Sequence, residues 1–214
     1  MKKIILALDV FGLKESKNLI EQAKDFVDIF KVGPILFLKC GREIIDFINS
    51  INKKVFLDLK FHDIPATVRR SVESARDLGV YSLTVHSCGG SEMLTAAVSV
   101  KDRPKIWAVT VLTSAVSSKE EVLERALLAK SCGADGVIAS PLESAAIKNK
   151  CGADFEAITP GIRLKETKDD QKRTATPQEA LKNGADFLVI GRPVLESPNP
   201  AQTLKEISDS LEQK

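Results

Sequence analysis

Short apolar runs bounded by polar residues recur along the chain: Ile4 to Leu8, Ile29 to Val32, Val55 to Leu59, Ser82 to His86, Ile106 to Leu112, Gly136 to Ala139, Phe155 to Thr159 and Phe187 to Ile190. Runs of this length without strict alternation have the pattern of strands buried on both faces, as in a parallel sheet. Between most of them apolar residues fall at helical spacing, for instance Leu19-Ile20, Ala23 and Val27, or Val122-Leu123, Ala126-Leu127 and Ala129, which gathers them on one helix face. Ser118 and Glu121 have capping-box spacing, and Thr176-Pro177-Gln178-Glu179 adds a proline at the first helical position. Gly79, Gly133 and Gly184 each follow a helical stretch and precede an apolar run, as helix C-caps do. The segments CGADGVIAS and NGADFLVIG repeat that grammar, so one β/α unit is being reused.

Strands alternating with helices predict a parallel sheet, and eight units in 214 residues fit a single closed (β/α)8 barrel of the TIM type. Such barrels commonly occupy roughly 200–250 residues. An open doubly wound sheet is the structural alternative, but no Gly-rich dinucleotide or phosphate-loop fingerprint follows any of the runs. Without a linker or low-complexity segment, residues 1–214 read as one domain.

Composition narrows the function. Hydrophobic residues make up 43% and charged residues 28%, ordinary for a soluble globular chain. Lys and Arg number 31 against 29 Asp and Glu, a net of +2, scattered and not striped, which argues against a nucleic-acid footprint. Cysteines 40, 88, 132 and 151 show no CxxC pairing, so reduced and mostly buried thiols in a cytosolic protein are expected, with no metal centre. The apolar run after Lys2-Lys3 is too short to span a bilayer and reads as the first strand; no membrane association and a cytoplasmic location are expected.

Polar residues gather where the predicted strands end, which is where barrel active sites form. Asp9, Lys31, Asp58 and Lys60 end the first three runs; Thr113 follows the fifth, Thr159-Pro160-Gly161-Ile162-Arg163 the seventh and Gly191-Arg192-Pro193 the eighth. Two residues apart on a strand, Asp58 and Lys60 should point to the same face, the barrel interior. As an isolated pair they could simply close the barrel by an ion pair. With Lys31 on the neighbouring strand and Asp63 three residues on, they would form an alternating chain of charges in which each group favours the ionised form of the next. Gly191 and Arg192 suit a phosphate, through close backbone approach and a forked donor. The polar stretch 164–175, LKETKDDQKRTA, lacks apolar periodicity and reads as a lid. His62 and His86 have no partner at metal-ligand spacing and are expected to be structural.

These residues also spell a family. The run FLDLKFHDIPATV at 56–68 resembles the signature of the orotidine 5′-monophosphate decarboxylase family, which catalyses the last step of pyrimidine nucleotide synthesis. ALDV at 7–10, FKVG at 30–33, VTVLTS at 109–114, TPGIR at 159–163, DQKR at 170–173 and IGRP at 190–193 are similar to that family's segments, in its order. The resemblance implies a cofactor-free and metal-free carboxy-lyase in which Lys60 donates the proton, flanked by Asp58 and Asp63. It further implies a homodimer with shared sites, in which Asp63, Ile64 and Thr67 come from the neighbouring subunit. Asp9 and Lys31 would hold the ribose hydroxyls, and Thr113 with Ser114 the pyrimidine. Gln171, Arg192 and the Gly191 backbone would grip the phosphate, with Pro160 and Arg163 nearby in the seventh loop. Two rivals are separable: a magnesium-dependent hexulose-phosphate synthase-like enzyme sharing DxKxxD, marked by chelator sensitivity, and a nucleotide-binding barrel that binds without turnover.

Overall fold

A computed structural model of the protein describes residues 2–10, 12–115, 117–164 and 174–212. The described residues form eight strands, β1 (Ile4–Ala7), β2 (Ile29–Val32), β3 (Lys54–Phe61), β4 (Ser82–His86), β5 (Lys105–Val109), β6 (Gly136–Ile138), β7 (Glu156–Thr159) and β8 (Phe187–Ile190). Each pairs in parallel with the next, and β8 returns to β1, with Ile5 opposite Val189, to close a barrel. The helices are α1 (Leu13–Ala23), α2 (Pro34–Cys40), α3 (Arg42–Ser50), α4 (Pro65–Asp77), α5 (Gly90–Val98), α6 (Lys119–Ser131), α7 (Ser144–Cys151), α8 (Pro177–Lys182), α9 (Arg192–Leu195) and α10 (Pro200–Glu212). None of the described helices is long and apolar enough to cross a membrane. The closed sheet excludes the open doubly wound alternative.

Helix boundaries follow local chemistry. Thr176 accepts from the Glu179 amide while Glu179 accepts from the Thr176 amide, a complete capping box at the start of α8. At α6 only half of the box forms: Ser118 accepts from the Glu121 amide, but the Glu121 carboxylate takes the Arg125 guanidinium instead. Gly133 and Gly184 end α6 and α8 with φ of 87° and 90°, the left-handed region that a Cβ disfavours. The helix expected to continue to Val27 stops at Ala23, and Val27 is buried in the turn that follows.

Alternation along the strands divides the interior into two layers. Ile4, Leu6 and Leu8 face the helices, while Ile5 and Ala7 face the barrel axis with Ile29, Phe56, Trp107, Val109, Ile138, Ile158, Phe187 and Val189. Trp107 fills the middle of the barrel, edge-on to Phe56 at 4.7 Å between centroids and beside Phe187 at 5.8 Å. Below it the indole donates to Glu156, which also pairs with Lys105, and Lys54 lies 4.2 Å from the Tyr81 ring centroid. Packing therefore closes the N-terminal end, and free space is left at the C-terminal rim.

Close strand approach makes Gly136 irreplaceable by a larger residue. A Cβ there would lie 2.4 Å from the Glu156 carbonyl oxygen and 2.7 Å from its Cβ. Gly136→Ala is expected to destabilise the fold by about 2 kcal/mol or more through this overlap, measured by urea unfolding; an unchanged midpoint would refute the contact.

Candidate active site

The rim holds a cavity of about 270 Å³, at the small end for a small-molecule site. Of the residues singled out from the sequence, Asp9, Lys31, Asp58, Lys60, Thr113, Ser114, Pro160, Arg163, Gly191 and Arg192 line it. They come from β2, β3 and the segments after β1, β5, β7 and β8, so strands remote in sequence converge on one space. The rest of the wall is apolar: Ala7, Phe56, Val109, Ile138 and Val189 from the strands, Val111 and Leu112 from the segment after β5. Motif reading missed these residues. Alternation could have found the first five, since each lies on the inward set of its strand. The apolar run Ile106 to Leu112 predicts a strand as far as Leu112, but β5 stops at Val109 and the chain turns, with the Ala115 amide donating to the Leu112 carbonyl.

An alternating row of charge runs along one side of the cavity. Lys31 Nζ lies 3.0 Å from Asp9 Oδ1 and 3.6 Å from Asp58 Oδ2, and Lys60 Nζ lies 2.8 Å from Asp58 Oδ1. Lys31 and Asp58 side chains are each 11% exposed, whereas Lys60 is 34% exposed and reaches the open side. Burial pushes the Asp58 pKa up, but the Lys31 and Lys60 charges, with hydrogen bonds from Lys60 and Thr84, outweigh it and hold the carboxyl below its ordinary value. Space for the row is set partly by Gly33, where a Cβ would come within 3.2 Å of Lys31 Nζ and 3.4 Å of Asp9 Oδ1.

The route by which Asp58 and Lys60 meet differs from the simple strand expectation. Lys60 has φ of +52°, which costs a non-glycine residue about 1–2 kcal/mol. The β3–β4 register also slips: Leu57 stands opposite Leu83 and Phe61 opposite Val85, so four steps on β3 match two on β4. A bulge, and not plain alternation, aims the ammonium back onto the carboxylate. Non-glycine strain of this kind clusters at functional sites.

Asp63, Ile64 and Thr67 do not join the row within the chain. β3 ends at Phe61 and the backbone turns outward into α4, with Ile64 as N-cap and Pro65 at the first helical position. All three are exposed, Ile64 by 66%, and the Asp63 carboxylate accepts from the Ile64 amide at 2.6 Å. The expectation that Asp63 extends the chain of charges from three residues away is thereby corrected for the single subunit. Gln171 and most of the stretch read as a lid lie outside the described residues. Its flanks meet in a parallel bridge, Ile162 to Ala175, where the Arg163 amide donates to Ala175 at 3.0 Å.

The histidines stand together beside Lys60, their ring centroids 5.7 Å apart. Burial, together with the neighbouring His62, Lys60 and Arg125 charges, holds His86 below its usual pKa, against a smaller opposing pull from Asp58. Among the described residues no group of three His, Cys, Asp or Glu side chains is placed to hold a metal ion. The four cysteines are free, but only Cys151 is buried; Cys88 is exposed in the short turn after β4, a correction to the expectation of mostly buried thiols.

Comparison with known proteins agrees with this geometry. A family model described as "Orotidine 5'-phosphate decarboxylase / HUMPS family" matches residues 2–207. An orotidine 5′-phosphate decarboxylase of Pelobacter propionicus is 42% identical, covering 98% of this chain and 95% of its own length. One from Wolbachia pipientis is 43% identical, covering 99% of each. The crystal structure of orotidine 5′-phosphate decarboxylase from Lactobacillus acidophilus superposes with a TM-score of 0.83 at 33% identity, over 99% of this chain and 100% of that one.

Proposed function

The chain belongs to the orotidine 5′-phosphate decarboxylase / HUMPS family, and from that premise we propose that it converts orotidine 5′-monophosphate to uridine 5′-monophosphate, in pyrimidine nucleotide synthesis, without a metal or cofactor. The observation that carries the reading is the row Asp9–Lys31–Asp58–Lys60, which presents an ammonium to a pocket whose wall includes the apolar side chains of Ala7, Phe56, Val109, Ile138 and Val189.

Cleaving the bond from C6 to the carboxylate releases carbon dioxide and leaves its electron pair on C6, where no adjacent group delocalises it. The Lys60 ammonium, 2.8 Å from Asp58, stabilises that pair as it develops and then transfers a proton from Nζ to C6, leaving a neutral amine that water reprotonates. Fixed charge aimed at a developing charge is usually the largest catalytic contribution, and the apolar wall strengthens it by excluding water. Asp58 would face the substrate carboxylate, a repulsion relieved when neutral gas departs.

The remaining roles are those that membership of the family implies. Asp9 and Lys31 bind the ribose hydroxyls; Thr113 and Ser114 meet the pyrimidine edge. Arg192, the Gly191 backbone and Gln171 receive the phosphate, with Arg163 and Pro160 nearby in the seventh loop. Metal independence is supported by the donor set: both Asp58 oxygens already face ammonium groups and Asp9 faces Lys31, so a divalent cation would have to displace lysines. A homodimer is supported by the exposed Asp63, Ile64 and Thr67 at the same rim, available to complete a neighbour's site. The test is loss of orotidine 5′-monophosphate absorbance with purified protein in excess chelator. Sustained turnover is expected; activity only when magnesium is restored would favour a metal-dependent sugar-phosphate enzyme, and binding without turnover would refute catalysis.

A further inference from the structure

Where β3 bulges, β4 offers one side chain to it. The Lys60 amide, displaced from the regular ladder by the register slip, donates to Thr84 Oγ1 at 2.9 Å. An amide only donates, so the threonine hydroxyl accepts there, and its single proton is left for a second partner. That partner is Asp58 Oδ1 at 3.0 Å, the same oxygen that receives Lys60 Nζ at 2.8 Å. The three residues thus close a ring: Lys60 backbone to Thr84 hydroxyl, hydroxyl to Asp58 carboxylate, carboxylate to Lys60 ammonium.

Thr84 is fully buried and does not line the cavity. Whatever it does for a ligand, it does through other residues. We propose that Thr84 is a positioning residue for the decarboxylation, its hydroxyl holding the left-handed Lys60 backbone and the Asp58 carboxylate in the one arrangement that aims Nζ at the substrate. The inference rests on reading the site as a decarboxylation centre, and it adds a residue from β4, a strand that supplies no lining residue.

The geometry gives the hydroxyl two tasks that a methyl group cannot perform. It satisfies a backbone donor stranded by the bulge, and it occupies a lone pair of Asp58 so that the carboxylate cannot rotate without breaking both bonds. The other charged groups facing Asp58 are Lys31 from β2 and Lys60 from β3; Asp9, two residues past β1, stands beyond Lys31, and His86 of β4 is two residues from Thr84.

Thr84→Val keeps the shape and removes the hydroxyl, whereas Thr84→Ser keeps the hydroxyl. With orotidine 5′-monophosphate, Thr84→Val is expected to lower kcat by about 10–100-fold with KM changed by less than about threefold, and Thr84→Ser to stay within about threefold of the parent. Loss of a hydrogen bond to the ionised carboxyl should also move the acid limb of kcat/KM to higher pH, a shift that mere packing would not produce. If Thr84→Val fails to fold, Thr84→Ala carries the same expectation. An unmoved acid limb with kcat near the parent, or a serine variant as impaired as the valine one, overturns the proposal. Should the parent itself not decarboxylate the nucleotide, the decarboxylase reading falls. The ring is then judged alone by carbon-13 titration of Asp58 in the ligand-free protein: a higher midpoint in the valine variant upholds it, and equal midpoints sink it.

Discussion

Lys60→Ala should give a folded protein whose turnover of orotidine 5′-monophosphate falls by about 10⁴-fold or more, since in the proposed mechanism it removes both the proton donor and the fixed charge facing C6. The fold should tolerate the change. Asp58 keeps Lys31 at 3.6 Å and the Thr84 hydroxyl at 3.0 Å, so no buried carboxylate is left without a partner. Lys60 is also the more exposed member of its ion pair, 34% against 11%, and partly exposed pairs contribute about 1 kcal/mol or less. The melting temperature is therefore expected to shift little while activity collapses. A residual rate within tenfold of the parent, measured on protein with an unchanged melting temperature, would refute Lys60 as the acid.

The second large effect tests the proposed sharing of the site between two subunits. Asp63→Ala alone should be strongly impaired, yet mixing it with Lys60→Ala after reversible dissociation should restore activity that neither variant possesses. In a mixed dimer one site combines both lesions, while the other retains Lys60 from one chain and Asp63 from its neighbour. With random reassortment half of the dimers are mixed, so about a quarter of the native sites return, as two-fold symmetry requires. Recovery of that size would place Asp63 across the interface. No recovery, with mixed dimers verified by mass, would mean that each chain supplies its own Asp63, and an unimpaired Asp63→Ala would mean that the residue is dispensable.

Within one chain, the geometry already separates the two carboxylates that the DxKxxD spacing presents together. Asp58 is buried between two lysines, whereas Asp63 is exposed past the end of β3 and satisfied only by the neighbouring amide among the described residues. Sequence spacing treats them as equivalent flanks of Lys60. Their difference comes from where the strand stops and Pro65 starts a helix, which leaves Asp63 exposed at the rim and outside the charge row of its own chain.

Much of the architecture was legible from the chain alone. Eight buried runs, helices between them and glycines after several helices depend on local preferences and on short-range periodicity, which each segment carries regardless of its neighbours. The same holds for the position of the candidate site: Asp9, Lys31, Asp58, Thr113, Arg163 and Arg192 stand at strand ends, and in a parallel barrel all strand ends share one rim. What local pattern could not decide was how neighbouring strands register. The slip between β3 and β4, the left-handed Lys60 and the Thr84 hydroxyl closing the ring arise from pairings between residues as many as 26 positions apart. Such pairings are settled only when the whole barrel closes, because each strand's register is held by the hydrogen bonds and packing of both of its neighbours.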